Sequence, residues 1–327
     1  MSVSDPVRLG LVGCGRLAEL GHVPAAARSV DVEVVAVADP DPGRRSHVAS
    51  LAGTAVGSYP DLPSLLAGSA VDAVVLATPA TAHLADAERV VAAGLPVLVE
   101  KPPAPDAIGA AALAALGDGV FVGFNRRFDP AIAPLRPAVP ATGPLDLDLA
   151  IRYRRASWSA HTVRDEVLLD LVPHLVDLAR WLTGSDVTSM AATEVHPDHA
   201  ELQLGLGRGR ARVVASADAL HEERVVVRDA ADRELAAHRT GGPLDAVAGR
   251  VRALRHRAAG RSPVHPLVVS LAAELDAFAG AVRGAGPGQL ATAADGLAAM
   301  CVVDAARTSA GAGGAPVPVP DLREPSC

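Results

Sequence analysis

Lysine, asparagine and aromatic residues are scarce in this chain of 327 residues. Of its 30 basic residues 29 are arginine and one, Lys101, is lysine; Asn125 is the sole asparagine, and Phe, Tyr and Trp together contribute 2%. Three cysteines with no close pair (Cys14, Cys301 and Cys327) argue against a disulfide framework or a thiolate metal site. No apolar run is long enough to span a bilayer, and the opening Met-Ser-Val-Ser-Asp-Pro lacks the basic-then-apolar order of a secretory signal. A formal charge of −7 excludes a general affinity for nucleic-acid phosphates. The expectation from these absences is a soluble, cytoplasmic enzyme acting on a small molecule, with no nucleic acid, membrane or resident metal.

The lone lysine matters beyond bookkeeping. A bias towards Ala, Arg, Gly, Pro and Val explains why lysine is rare, and the position that keeps it is one where arginine does not serve. Arginine stays charged at any working pH, whereas a partly buried lysine can release and regain a proton.

What is present begins with alternation. Apolar runs at Val7–Val12, Val32–Ala38, Val71–Ala77, Val97–Val99 and Val120–Phe124, with a shorter one near Ala55–Ser58, are separated by Ala/Leu-rich stretches of helical spacing such as Ala82–Ala93. Strands apolar throughout and joined by helix-length crossovers form a parallel sheet covered on both faces. Residues 1–124 therefore read as a Rossmann-type, doubly wound α/β domain. Prolines at 130, 134, 137, 140 and 144 then mark a connection. Leu145–Arg154 alternates apolar and polar, as a strand with one packed and one wet face does. Further strand patterns at Val187–Val195, Ala200–Leu206, Arg210–Ala215 and Glu223–Arg228 lie between helical patterns at Asp165–Leu182, Pro266–Val282 and Ala291–Ser309. Residues 125–320 read as an α+β domain with an open, mostly antiparallel sheet, and 321–327 as a tail.

Three clusters carry chemistry. Gly13-Cys14-Gly15-Arg16-Leu17-Ala18 follows the first strand and opens a helix, fitting G-x-G-x-x-G/A. The first glycine permits the turn, the second lets backbone approach a pyrophosphate, and the small third residue packs helix on strand. Asp39, ending the second strand, is placed to accept from an adenosine ribose and to repel a 2′-phosphate, which favours NAD. Arg44 and Arg45 keep NADP open. Ala77-Thr78-Pro79 and Glu100-Lys101-Pro102 end the fourth and fifth strands, where ligands of such sheets gather. In the third cluster, Asp170, His174 and Asp177 share one face of an otherwise apolar helix. A polar stripe there lines a cavity or pairs internally, and two such residues without a third ligand do not make a metal site. His196-Pro197-Asp198-His199 reads as loop polarity.

These residues together resemble the Gfo/Idh/MocA family, which includes glucose–fructose oxidoreductase and inositol dehydrogenase. The resemblance runs from the fingerprint through Asp39, Thr78-Pro79 with His83, Glu100-Lys101-Pro102, Gly123-Phe-Asn-Arg-Arg127-Phe-Asp-Pro130, the Asp170–His174–Asp177 segment and the closing Asp295–Ser309 helix. It implies NAD(P)-dependent interconversion of a secondary alcohol and a ketone on a sugar, cyclitol or nucleotide-sugar-like molecule. It also implies that Lys101 and His174 flank the reacting carbon and that Asp170 positions substrate or His174. Glu100 would border the nicotinamide, His83 would belong to the cofactor site, and Asn125 and Arg127 would reach cofactor or substrate. Pairing of relatives through the open sheet implies a homodimer or homotetramer. Oxidation needs a base for the hydroxyl proton and reduction an acid; His174 is the favoured base, with Lys101 polarising the oxygen.

The chain departs from the family pattern around that segment. Arg164-Asp165-Glu166-Val167 stands where relatives are glycine-rich, and Val172-Pro173 precedes the histidine where relatives carry Gly two residues before it. Pro173 kinks a helix begun at Asp165 and is tolerated in one starting near Asp170. Tyr153 and Trp158 are the aromatics to watch near substrate. Two other functions compete: an eliminase or glycosidase using NAD with no net redox, and a noncatalytic NAD-binding regulator. The second has no need of Lys101, Asp170 and His174 together.

Overall fold

Valine-rich runs flanked by Ala/Leu helices build the first of two units, and strands alternating apolar with charged residues build the second. The computed structural model describes residues 5–154, 166–241 and 265–320. The first unit comprises Met1–Asp129 with Pro266–Leu297, and the second Pro130–His265 with Ala298–Cys327.

In the first unit, β1 (Val7–Val12), β2 (Val32–Ala38), β3 (Gly57–Tyr59), β4 (Ala73–Leu76), β5 (Val97–Glu100) and β6 (Val120–Gly123) form a parallel sheet. Its order is β6-β5-β4-β1-β2-β3, so the chain reverses direction across the sheet between β1 and β4. Helices Pro42–Ala52, Leu62–Gly68, Ala80–Ala92 and Ala107–Ala114 make the crossovers. Three of them are capped by an aspartate accepting backbone N–H groups: Asp41 from Gly43 and Arg44, Asp61 from Ser64, and Asp106 from Gly109.

The division of the chain differs from the sequence expectation of a boundary at 124/125 with everything to 320 in one domain. The Pro266–Val282 helix places Leu271, Leu275 and Phe278 in one core with Leu9, Leu11 and Phe121. Residues Ala291–Thr292 then pair antiparallel with β6 as an edge strand. The physical cause is an exposed apolar sheet face that needs a helix, supplied from far along the sequence.

In the second unit, β7 (Leu145–Arg154), β8 (Val187–His196), β9 (His199–Leu206), β10 (Gly209–Ser216), β11 (Asp218–Asp229) and β12 (Glu234–Thr240) run in the order β12-β11-β7-β10-β9-β8. Only the β7–β10 pair among these is parallel. Val317–Pro318 pairs with β8 as a last, two-residue strand. Leu147, Leu149 and Ile151 are buried on one face. Asp146, Asp148 and Arg152 lie on the other within a ladder of ion pairs: Asp146 with Arg210, Asp148 with Arg212 and Arg224, Glu201 with Arg212, and Glu222 with Arg152 and Arg224. β12 escaped the sequence reading because Glu-Leu-Ala-Ala-His-Arg-Thr has no apolar run; it forms by pairing with β11.

The helix expected over Asp165–Leu182 is two helices. Val167–Asp170 ends at a turn on Leu171, and Val172–Thr183 begins anew with Pro173 in its first turn. Proline has no N–H to give Leu169, and its ring crowds that carbonyl, so one continuous helix cannot form. Trp158 and the 321–327 tail lie outside the described residues. Among the described residues no helix is long and apolar enough to cross a membrane.

Candidate active site

The carboxyl edge of the parallel sheet collects most of the residues picked out from sequence. Gly13 follows β1 with φ +93°, and a Cβ placed there would lie 2.5 Å from the carbonyl oxygen of Ala77. Its N–H donates to Ala38 O at 2.8 Å, so the turn is tied to β2 and pressed against the end of β4. No other residue type fits that conformation and that gap. Gly15 is the opposite case: a Cβ there meets nothing within 4 Å. Its open side, beside the N-terminal amides of the helix that starts at Arg16, leaves the room a pyrophosphate needs.

Asp39 is buried at the end of β2. Its Oδ2 accepts the Cys14 N–H at 2.8 Å and its Oδ1 the Asp41 N–H at 2.8 Å, so the carboxylate is fixed beside the glycine loop. Arg45 donates to the carbonyls of Asp39 and Pro40, whereas Arg44 is half exposed, 3.7 Å from the Asp41 carboxylate. The Cys14 thiol is pushed up to about 12 by burial and by the neighbouring Asp39, so it stays protonated and serves the loop by its backbone. Leu17 packs against the first core, and Arg16 is half buried.

Thr78 and Pro79 lead from β4 into the Ala80–Ala92 helix, with Pro79 at its N-cap. His83, which the family resemblance gives to the cofactor site, is buried. Its Nε2 lies 2.7 Å from Thr78 O and its Nδ1 3.1 Å from Pro102 O. Burial holds its pKa below the ordinary histidine value, and the neutral ring donates to one of these two carbonyls, between the ends of β4 and β5. The Lys101–Pro102 peptide is cis. Glu100 is buried, with Oε2 accepting the Lys101 N–H at 3.2 Å. Its Oε1 lies 2.8 Å from Nε2 of His22, a residue the sequence reading passed over.

His22 was legible only faintly. Val23 bonds to Ala18 O, five residues back, in a wide turn over Ala18–His22, and this turn carries His22 into the interior. Pro24 follows immediately and cannot donate within the helix. A lone histidine in an Ala/Gly stretch was the available signal.

Asn125 and Arg127 were expected to reach cofactor or substrate, and their side chains are engaged elsewhere. Asn125 Nδ2 donates to Ser270 Oγ at 3.2 Å on the Pro266–Val282 helix. Arg127, 5% exposed, bonds the Leu290 carbonyl at 3.2 Å and pairs with Asp295 at 3.2 Å. Both fasten the late-sequence segments to the first unit, a packing demand that sequence spacing cannot display.

In the second unit, Tyr153 near the end of β7 donates its hydroxyl to Asp170 Oδ2. Asp170 closes the short helix, and His174 stands in the first turn of the next. The break at Leu171 means they do not share the face of one helix. Asp177, a turn further on, is fully buried. His196 and His199 each lie near Glu194 on the β8–β9 hairpin, at 3.3 and 3.6 Å. Among the described residues no group of three or more His, Cys, Asp or Glu is arranged to hold a metal ion.

Comparison with known proteins places this geometry. Residues 7–119 match a family model described as an oxidoreductase family with NAD-binding Rossmann fold, GFO_IDH_MocA. The rhizopine catabolism protein MocA of Rhizobium meliloti is 32% identical over 226 residues, 64% of this chain and 70% of that protein. Inositol 2-dehydrogenase 4 of Saccharopolyspora erythraea is 36% identical over 203 residues, 58% of this chain and 57% of its own length. The crystal structure of a putative myo-inositol dehydrogenase from Sinorhizobium meliloti 1021 superposes with a TM-score of 0.75 at 25% identity, covering 96% of this chain and all of that one.

Proposed function

The chain belongs to the Gfo/Idh/MocA family of NAD-binding oxidoreductases, and from that premise we propose that it interconverts a secondary alcohol and a ketone on a cyclitol or sugar. The observation that carries the reading is the convergence at one sheet edge of the Gly13–Leu17 loop, Asp39 and the chain's only lysine. An NAD-sensing protein needs the first two and not the third. Relatives named inositol 2-dehydrogenase support the substrate class.

NAD, when bound, supplies the acceptor for the hydride that leaves the carbinol carbon. The loop amides bind its pyrophosphate, and Asp39 orients the adenosine ribose and disfavours a 2′-phosphate. In the direction of oxidation the alcohol O–H proton passes to His174 while Lys101 donates a hydrogen bond to the oxygen. Reduction reverses both transfers. Asp170, held by Tyr153, orients His174 or a substrate hydroxyl. Self-association into a homodimer or homotetramer through the open face of the second sheet, and a cytoplasmic location, belong to the same reading; light scattering measures the former.

The test is binding followed by turnover. Titrating the purified protein with NADH and NADPH side by side should give tighter NADH binding, and a panel of inositols and sugars should then yield NADH on oxidation. Lys101→Met should bind NADH within about threefold of wild type and lose on the order of 10³-fold in kcat, as removal of an acid–base or polarising group does. Binding of neither cofactor, or full activity in Lys101→Met, overturns the reading.

A further inference from the structure

The Lys101 N–H is tied through Glu100 to one buried histidine, and the carbonyl of the next residue, Pro102, lies beside another. On the N-terminal side the Lys101 N–H donates to Glu100 Oε2, while Glu100 Oε1 meets His22 Nε2 at 2.8 Å. A carboxylate only accepts, so the proton of that bond belongs to His22. On the C-terminal side the Pro102 carbonyl lies 3.1 Å from His83 Nδ1. The side chains of His22 and Glu100 are 2% and 7% exposed, so solvent screens their contact little. His22 Nδ1 is buried with no hydrogen-bond partner among the described residues, which leaves Glu100 as the ring's polar anchor.

The carboxylate is also confined sterically. A Cβ on Gly123 would lie 3.1 Å from the Glu100 carboxyl carbon, so β6 leaves Glu100 just enough space to reach His22. Helix, β5 and β6 thus meet on one carboxyl group next to the only lysine. A buried polar group is tolerated when it is hydrogen-bonded, and here the contact with His22 holds the carboxyl group whose other oxygen accepts the Lys101 N–H.

We propose that His22 is a positioning residue for Lys101, acting through Glu100 to hold the peptide from which the lysine projects. The inference rests on the reading of Lys101 as the group that binds the reacting oxygen. His22 is 2% exposed and its ring contacts the Glu100 carboxyl group, so its contribution is one of geometry. Misplacement of a reacting group by about 1 Å costs up to 10²-fold in rate without a matching loss of binding.

Two amides of one chemistry and different length provide the test. His22→Gln reaches Glu100 with its side-chain N–H, and His22→Asn falls one methylene short. The expected result is a 10- to 100-fold lower kcat for His22→Asn, on the scale of that misplacement, with substrate KM and NADH Kd each within about threefold of wild type. His22→Gln should stay within about threefold of wild-type kcat. Gly123→Ala moves the carboxylate while His22 is intact, and should give the same kcat-selective loss, which keeps the inference testable should His22→Asn not fold. Wild-type kcat in both His22→Asn and Gly123→Ala overturns it. So does a His22→Gln as impaired as His22→Asn, or a parallel fall of kcat and NADH affinity. Lys101→Met in the same assays separates the two failures. If it is active, the reading of Lys101 falls and takes His22 with it; if it is inactive while the His22 and Gly123 variants are normal, only the role of His22 falls.

Discussion

At the carboxyl edge of the first sheet the geometry is set by backbone. Gly13 adopts a φ of +93° against the Ala77 carbonyl, Asp39 accepts two main-chain N–H groups, and Glu100 accepts a third. In the second unit the polar residues are placed by side chains and by an interrupted helix: Tyr153 reaches Asp170, and Pro173 restarts the chain before His174. A backbone-built site has almost no slack, because one methyl group or one lost acceptor disturbs the peptide units themselves. A side-chain-built arrangement can drift while its scaffold stays folded.

The largest effect that would break this comparison concerns the two fingerprint glycines. Gly13→Ala should abolish measurable NADH binding and lower the melting temperature, since the new Cβ would overlap the Ala77 carbonyl in a conformation L-residues avoid. Gly15→Ala adds the same methyl group to open space. It should leave the melting temperature unchanged and weaken NADH binding roughly tenfold, about 1.4 kcal/mol. If both variants melt alike, Gly13 is not constrained by the Ala77 carbonyl.

That contrast also explains what the sequence could display. Glycine at a forced turn, aspartate at the end of the next strand and proline after a strand are residue types that backbone demands select, so the Rossmann unit and its loop are readable from spacing. The bonds of Asn125 to Ser270 and of Arg127 to Asp295 could not be foreseen, because these partners lie more than 140 residues away and no local pattern announces a staple of that range. His22 was missed because its role depends on a wide helical turn. The Asp170–His174 spacing suggested one helix face, and only Pro173 hinted at the break. β12 depends on its neighbour for its strand form and left no apolar signature.

A middle-sized effect sharpens the second region. Tyr153→Phe keeps the ring and deletes the hydroxyl that donates to Asp170. We expect kcat to fall about tenfold, the scale of one lost hydrogen bond to a charged group, with NADH affinity unchanged in a fluorescence titration. A change in NADH affinity instead would mean that this hydroxyl serves the cofactor. Smaller again is Asp39→Ser, which should shift the NADH/NADPH affinity ratio towards NADPH by about tenfold and cost about 1–2 kcal/mol of stability, as the Cys14 and Asp41 amides lose their acceptor. An unchanged ratio removes Asp39 from the ribose site.

The smallest effect is a pH dependence confined to the first unit. Burial lowers the pKa of His83 from its ordinary value of 6.5, because a charged imidazole between β4 and β5 is poorly solvated. The unfolded chain therefore binds more protons at this residue than the folded one as pH falls below about 6.5. Stability contributed by the neutral ring is complete above that pH and declines as pH drops towards the lower folded-state value. Protonation would also place a charge between the Thr78 and Pro102 carbonyls, which accept from it and offset part of the penalty, so the decline is gradual. Hydrogen exchange at pH 7 and pH 5, corrected for intrinsic rates, should show greater loss of protection in β4 and β5 than in β7 and β10. His83→Gln, which cannot titrate, should remove that difference. Equal loss in both sheets would assign the acid sensitivity to groups other than His83.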